Sequence, residues 1–315
     1  KRNPFLLMNK TVHILNGDST LCSLDQADIQ GQWLVWRDVL CEGPVISEFA
    51  GDLFWEKRQD FMADFFGAKW DEFKTKCIDE FDKIKSVPQQ YELVLWFEFD
   101  LFCQINMLGI LHFLSRAVYK DKRVSLICVG SVEEKENLIG LGEIPPKNFN
   151  SLFENRISLN QEALSYASSV FLAFCDKDPQ RITKVVQEHP KFPYLKGAIA
   201  AHFKRFPFKD SGLNEIEMAI LNFVQEGASE PKHIVGNMLK WQKSTYYGFG
   251  DAQYFNYLKK LHPLYNEDFT LNEAGLKILA GESNAFGIID RNYQLGGVNV
   301  ADYEYDENKG GLIPS

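Results

Sequence analysis

The sequence predicts an α/β fold: a Rossmann-like, mostly parallel sheet with flanking helices, then a helical region and a C-terminal winged-helix-like domain. Three observations carry this. Short apolar runs end in polar turns at His13-Ile14-Leu15-Asn16-Gly17-Asp18-Ser19, at Gln32 to Val45, and at Glu92 to Asp100. Helical patterns lie between those runs, so strand alternates with helix as in layered α/β proteins. Past residue 211 the pattern changes to three short helices, then Leu264-Tyr265, Phe269-Thr270-Leu271 and a further helix closed by Gly281.

Val12 to Leu15 reads as the first strand. Asn16-Gly17-Asp18-Ser19 follows as a turn, because Asn-Gly favours positive φ and Asp-Ser supplies capping oxygens for a helix over Thr20–Ala27. Trp33 to Leu40 is the next strand, stopped by Gly43-Pro44. Between Ser47 and about Ile84, aromatic residues from Phe54 to Phe81 recur at spacings of mostly three and four, the stripe of amphipathic helix packed on a core. Tyr91 to Phe97 is almost wholly apolar, as a central parallel strand would be. Leu101–Tyr119 reads as helix and Arg123–Val129 as the fourth strand.

These elements set a first domain over residues 8–150. A helical connector divided by prolines covers 151–210, and the winged-helix-like domain with a closing hairpin covers 211–315. Gly296-Gly297 in that hairpin marks a tight turn or a close backbone approach.

With 315 residues and a net charge of −9, the chain can bury a sizeable core but lacks the basic footprint of a general nucleic-acid binder. The winged-helix-like part adds six lysines and no arginine against nine acidic residues over 211–285, which favours a structural or protein-binding role for it. Six cysteines stand singly with no CxxC pair, the pattern of buried thiols in a reducing compartment rather than of a disulfide framework or a zinc site. No run reaches the roughly 20 apolar residues of a membrane span, so a cytoplasmic location without membrane association is expected. Met8 is expected to be the natural start, with Lys1–Leu7 an upstream segment.

Taken in order, the motif stretches resemble the bacterial family called domain of unknown function 1835, with its usual C-terminal companion domain. The resemblance rests on His13 to Ser19, Trp36-Arg37-Asp38-Val39-Leu40-Cys41-Glu42-Gly43-Pro44, and Leu95 to Gln104. It continues through Thr270 to Gly275, Leu279-Ala280-Gly281, Asp290-Arg291 and Leu295-Gly296-Gly297-Val298, and so spans about residues 12 to 306. Tyr293, Tyr303 and Tyr305 stand where the family pattern leads one to expect tryptophan. The resemblance implies site candidates but no activity to carry over.

In open α/β sheets, ligands bind beyond the carboxyl ends of the strands, where the strand order reverses. Asn16, Gly17 and Ser19 in the first turn, Trp36, Arg37 and Gly43 after the second strand, and Glu98 and Gln104 after the third are therefore the ligand-binding candidates. Asp18, Asp38 and Asp100 are the catalytic candidates. They would hold a hard cation such as Mg²⁺ or Mn²⁺ that meets substrate oxygens. The plainer alternative makes Asp18 a helix cap, pairs Asp38 with Arg37 or Arg116, and makes Asp100 the cap of the helix starting at Leu101. His13 precedes its apolar run, away from this edge, and is expected to be structural.

The function expected is binding of a small anionic ligand, a nucleotide or phosphorylated metabolite, with metal-assisted phosphoester hydrolysis as the reaction if there is one. The competing expectations are a ligand-responsive transcriptional regulator that uses the winged helix, and a non-enzymatic scaffold that meets another protein.

Overall fold

A computed structural model describes residues 11–27, 29–130 and 138–315. The expected start at Met8 and the segment before it lie outside these. The predicted strands form on the apolar runs: β1 (Thr11–Asn16), β2 (Gln32–Trp36), which stops short of the expected end at Leu40, β4 (Glu92–Glu98) and β5 (Arg123–Val129). Two short strands were not expected: β3 (Gly43–Pro44), at the predicted break, and β6 (Ile157–Leu159). The main sheet has the order β2-β1-β4-β5-β6. Its first four strands are parallel, and β6 is an antiparallel edge. From β1 the chain steps to β2 on one side, then crosses back to β4 on the other. The strand order therefore reverses between β1 and β4, whose carboxyl ends carry Asn16 and Glu98.

Side chains alternate across the sheet as strand geometry requires. Ile14, Trp36, Leu95 and Phe97 join the larger core, whereas Leu15, Val35, Trp96 and Ile127 join a smaller one on the opposite face. Gly17, at φ +88°, turns the chain from β1 into α1 (Asp18–Leu24). The helix thus begins earlier than predicted, because Asp18 and Ser19 lie inside it instead of capping it.

The aromatic stripe after β2 becomes α2 (Asp52–Phe66), α3 (Trp70–Phe73), a π-turn over Lys74–Ile78 and α4 (Asp79–Ser86). Gly67 stops α2 in the left-handed conformation; its N–H returns to the Ala63 carbonyl and the Ala68 N–H to the Met62 carbonyl. After β4, α5 (Leu101–Leu114) is buried nearly all round, as a helix between a sheet and a second layer must be.

α6 (Phe149–Glu154) packs on the smaller core across the sheet, with Phe149 buried in it. The second layer over α5 contains α7 (Gln161–Phe174), α8 (Gln180–Val185), α9 (Leu195–Phe203), α10 (Glu215–Gln225), α11 (Pro231–Trp241), α12 (Asp251–Lys260) and α13 (Glu273–Leu279). Local signals set several starts: Asn160 caps α7, Asn214 and Glu217 form a capping box on α10, Pro231 opens α11, and Asn272 caps α13. Where a wing was expected, Tyr265 and Leu271 make an isolated antiparallel bridge.

The later strands form small sheets. β7 (Gln294–Gly296) and β8 (Val298–Asn299) make a hairpin, and β9 (Tyr303–Asp306) pairs with β10 (Gly311–Pro314). β3 pairs in parallel with β7, Gly43 opposite Leu295 and Pro44 opposite Gly296, so motifs about 250 residues apart meet in one sheet. The expected close approach at Gly296-Gly297 is present. A Cβ on Gly297 would lie 2.1 Å from the Cys175 carbonyl oxygen, and the Gly297 N–H donates to the Phe174 carbonyl at 3.0 Å. Among the described residues no helix is long and apolar enough to cross a membrane.

Candidate functional site

The carboxyl edge of β1 and β4 is built around α5. Asp100 caps that helix: its Oδ1 accepts the Cys103 N–H at 2.8 Å. Two residues earlier, at the end of β4, Glu98 accepts the Leu141 N–H at 2.9 Å, and its carbonyl accepts Gln104 Nε2 at 2.7 Å. One turn into α5, the Cys103 Sγ faces the same space. A donor atom from each of Glu98, Asp100 and Cys103 lies within 4.8 Å of the other two.

A chain of amides holds the sulfur. The Leu40 N–H donates to Asn106 Oδ1 at 3.0 Å, Asn106 Nδ2 donates to Asn16 Oδ1 at 2.8 Å, and Asn16 Nδ2 donates to Cys103 Sγ at 2.9 Å. Asn106 Nδ2 also reaches the Asp38 carbonyl at 3.0 Å. Each amide has a fixed orientation because a backbone N–H starts the chain. Cys103 and Asn106 were not among the sequence candidates. The signal for Asn106 was there, a lone amide in the apolar run Ile105 to Leu111.

The edge carboxylates differ in what balances them. Asp38 is fully buried against Arg58, with Arg58 Nη2 2.6 Å from Oδ1 and both side chains 0% exposed. Arg58 also donates to the carbonyls of Val39, Glu42 and Pro44. Asp38 therefore meets neither Arg37 nor Arg116: Arg116 bonds the Phe49 carbonyl, and Arg37 makes a two-point, solvent-facing pair with Asp18 at 2.7 and 2.9 Å. That pair holds Asp18 below its usual carboxylate range. Glu42 faces Arg205, Glu92 faces Arg156 and Glu217 faces Arg291.

Glu98 and Asp100 face no cation among the described residues. Burial, reinforced by the neighbouring Glu98 charge, pushes Asp100 up to about 8, against the pull of the Cys103 N–H. Burial likewise raises Glu98, with the Leu141 N–H opposing. Burial raises the Cys103 thiol well above the ordinary thiol range. Asp18 and Asp38 stand outside this group, so the three predicted aspartates separate into an outer ion pair, an inner ion pair and an uncompensated acid cluster.

The remaining candidates divide by exposure. Gly17, Asp18, Ser19 and Arg37 reach solvent, and Glu98 does so in part. Asn16, Trp36, Gly43 and Gln104 are buried. Trp36 packs among Phe49, Trp55 and Phe81, a core position. Gly43, at φ +70°, abuts the Phe61 ring. His13 accepts the Trp96 Nε1–H at 3.1 Å and stacks on Trp33, and burial takes it down to about 4.

The segment Tyr246–Gly248 covers the edge. The N–H groups of Leu101 and Phe102 donate to the carbonyls of Tyr246 and Tyr247, at 2.5 and 3.3 Å, and the Tyr246 ring meets Phe99. The helix N-terminus that would receive an anion directly is thus filled by the chain's own carbonyls. No family model and no curated protein matches this chain.

Proposed function

We propose that the chain binds a divalent cation at the carboxyl edge through Glu98, Asp100 and Cys103, and that the cation receives a small anionic ligand, a nucleotide or phosphorylated metabolite. One observation carries this reading. Four buried carboxylates, Asp38, Glu42, Glu92 and Glu217, each face an arginine, whereas buried Asp100 and half-buried Glu98, side by side, face none. Two buried carboxyls without a counter-charge are stabilised by a shared proton or by a cation. The sulfur in the donor set favours Mn²⁺ or Zn²⁺ over Mg²⁺. Three protein donors leave coordination positions for ligand oxygens. Phosphoester hydrolysis is the chemistry such an ion supports, by acidifying a bound water.

Membership of the domain of unknown function 1835 family belongs to the same proposal. It rests on the resemblance of the motif stretches alone, two of which meet where Gly43-Pro44 pairs with Leu295-Gly296. The regulator reading has less behind it: α12, which would enter the DNA groove, turns Tyr254 and Tyr257 into the core.

The test is calorimetric titration of the chelator-treated chain with Mn²⁺, Zn²⁺ and Mg²⁺, on wild type and on Glu98→Gln/Asp100→Asn. One ion per chain in the wild type and none in the variant is the expected result. A nucleotide and sugar-phosphate panel with and without the ion follows. No ion bound to the wild type, with Asp100→Asn simply more stable, would replace the reading with a proton-sharing structural pair.

A further inference from the structure

A second charge network lies at the seam between the amino-terminal layer and the later helices. Glu42 is neutralised by Arg205 at 2.6 Å, and Glu217 by a two-point contact with Arg291. Lys260, at the end of α12, is the cation left over. Its ammonium rests 3.2 Å from the centroid of the Tyr293 ring and 6.0 Å from that of Tyr257, and it has no ion pair or hydrogen bond among the described residues. Glu42 and Glu217 attract it from a distance, but no carboxylate among the described residues comes within ion-pair reach, so its charge is only partly offset.

Lys260 also lines a cleft of about 800 Å³, the size range of small-molecule sites. The walls are apolar: Phe255, Leu258, Phe269 and Ile288. Lys259, His262 and Asp290 complete the polar lining, and Asp290 is already bonded to the Asn292 N–H at 2.9 Å. Phe269 holds the left-handed conformation, φ +60°, which is costly for a residue with a Cβ. Its ring meets Tyr265, whose buried hydroxyl has no hydrogen-bond partner among the described residues.

We propose that this cleft binds a small amphiphilic carboxylate, its apolar body against Phe255, Leu258, Phe269 and Ile288 and its carboxylate paired with Lys260. The apolar walls call for a hydrocarbon or aryl body, and the surplus cation calls for a single negative charge. The site is separate from the acid cluster of Glu98 and Asp100, so the two proposals fail independently.

The probes are decanoate and its neutral counterpart decanol, titrated calorimetrically into the full chain. Decanoate is expected to bind one per chain and about tenfold or more tighter than decanol, the equivalent of one modest charge-assisted contact. Lys260→Met should bring decanoate to the level of decanol, and Lys260→Arg should retain the preference. Equal binding of the two probes to wild type, or no saturable binding of either, overturns the proposal whether or not the variants fold. So does tight binding of a peptide ending in a leucine carboxylate by a chain that ignores decanoate.

Discussion

Gly248 lies directly on the Asp100 carboxyl group: a Cβ at position 248 would stand 2.1 Å from Asp100 Cγ. The glycine also has φ +66°, a conformation that residues with a Cβ adopt at a cost. Both facts make Gly248→Ala destabilising, by about 2–4 kcal/mol from the left-handed backbone and the overpacking together. Thermal melts of Gly248→Ala, Asp100→Ala and the double variant form a cycle. The double variant should lose less than the sum, since removing the carboxyl relieves the contact. Additive losses would show that the cover does not press on Asp100.

Asp100 sets a pH dependence of unusual sign. Its folded value is raised, to about 8 from the ordinary 3.8, so between those values the folded chain holds a proton that the unfolded chain has released. The stabilisation it gives is full below about pH 4 and is lost as pH rises through 8. Asp100→Asn should flatten this decline and exceed wild-type stability at pH 8 by about 1 kcal/mol or more. If the cation binds here it displaces that proton, so its affinity should climb with pH through 8, and further still while the Cys103 thiol has a proton to give up. A pH-independent affinity would remove Asp100 from the ligand set.

Much of this edge was legible before folding. β5 runs over the predicted residues, and Asp100 caps α5 as the plainer alternative held. Strands buried on both faces announce themselves as apolar runs, and caps act within four residues, so both are local information. The partners were not local. Arg58 reaches Asp38 from 20 residues away, and Arg205 reaches Glu42 from 163. No spacing rule distinguishes Arg58 from Arg37 or Arg116 as the aspartate's cation. β6 was missed because a three-residue edge strand, Ile157–Leu159, with only Leu159 buried, has too few positions to show alternation. Cys103 read as one of six isolated thiols, and folding alone puts it beside two carboxyls.

The Asp38–Arg58 pair is wholly enclosed, so losing one member leaves the other buried without its counter-charge. Arg58→Met should cost about 3–5 kcal/mol. Asp38→Asn should cost less, because Arg58 keeps its three carbonyl acceptors. Denaturant midpoints of the two single variants and the double provide the check. If the double variant loses the sum of the two single losses, the two side chains are not coupled.

His202 acts on the acid side. It is buried against Phe174 and Phe206, and burial lowers it to about 3 from 6.5. The unfolded chain takes up the proton first, so stability is full above about pH 6.5 and falls as pH drops toward 3. His202→Leu should reduce the loss between pH 7 and 5 by about 1–2 kcal/mol. His13, lowered to about 4, keeps part of the slope in that variant. An unchanged slope would mean that His202 is solvated in the folded chain.

The amide chain from Leu40 to Cys103 gives the last prediction. Asn106→Ala strands a buried backbone N–H and frees the Asn16 amide, a cost of about 1–3 kcal/mol. Stability alone does not tell positioning from packing, so the informative readout is ion affinity. Asn16 would no longer be held with its N–H toward Cys103, and loss of such support around a metal typically lowers affinity about 10–100-fold. Asn106→Asp still accepts from Leu40, but its carboxyl faces the Asn16 and Asp38 oxygens, so it is ionised only at a high burial cost or else protonated and donating to one of them. Measured at a pH where it is ionised, it should lose affinity comparably to Asn106→Ala. Equal retention of affinity in both variants would make the amide chain a packing device. Affinity lost in Asn106→Ala but kept in Asn106→Asp would assign the effect to the Leu40 turn instead of the sulfur.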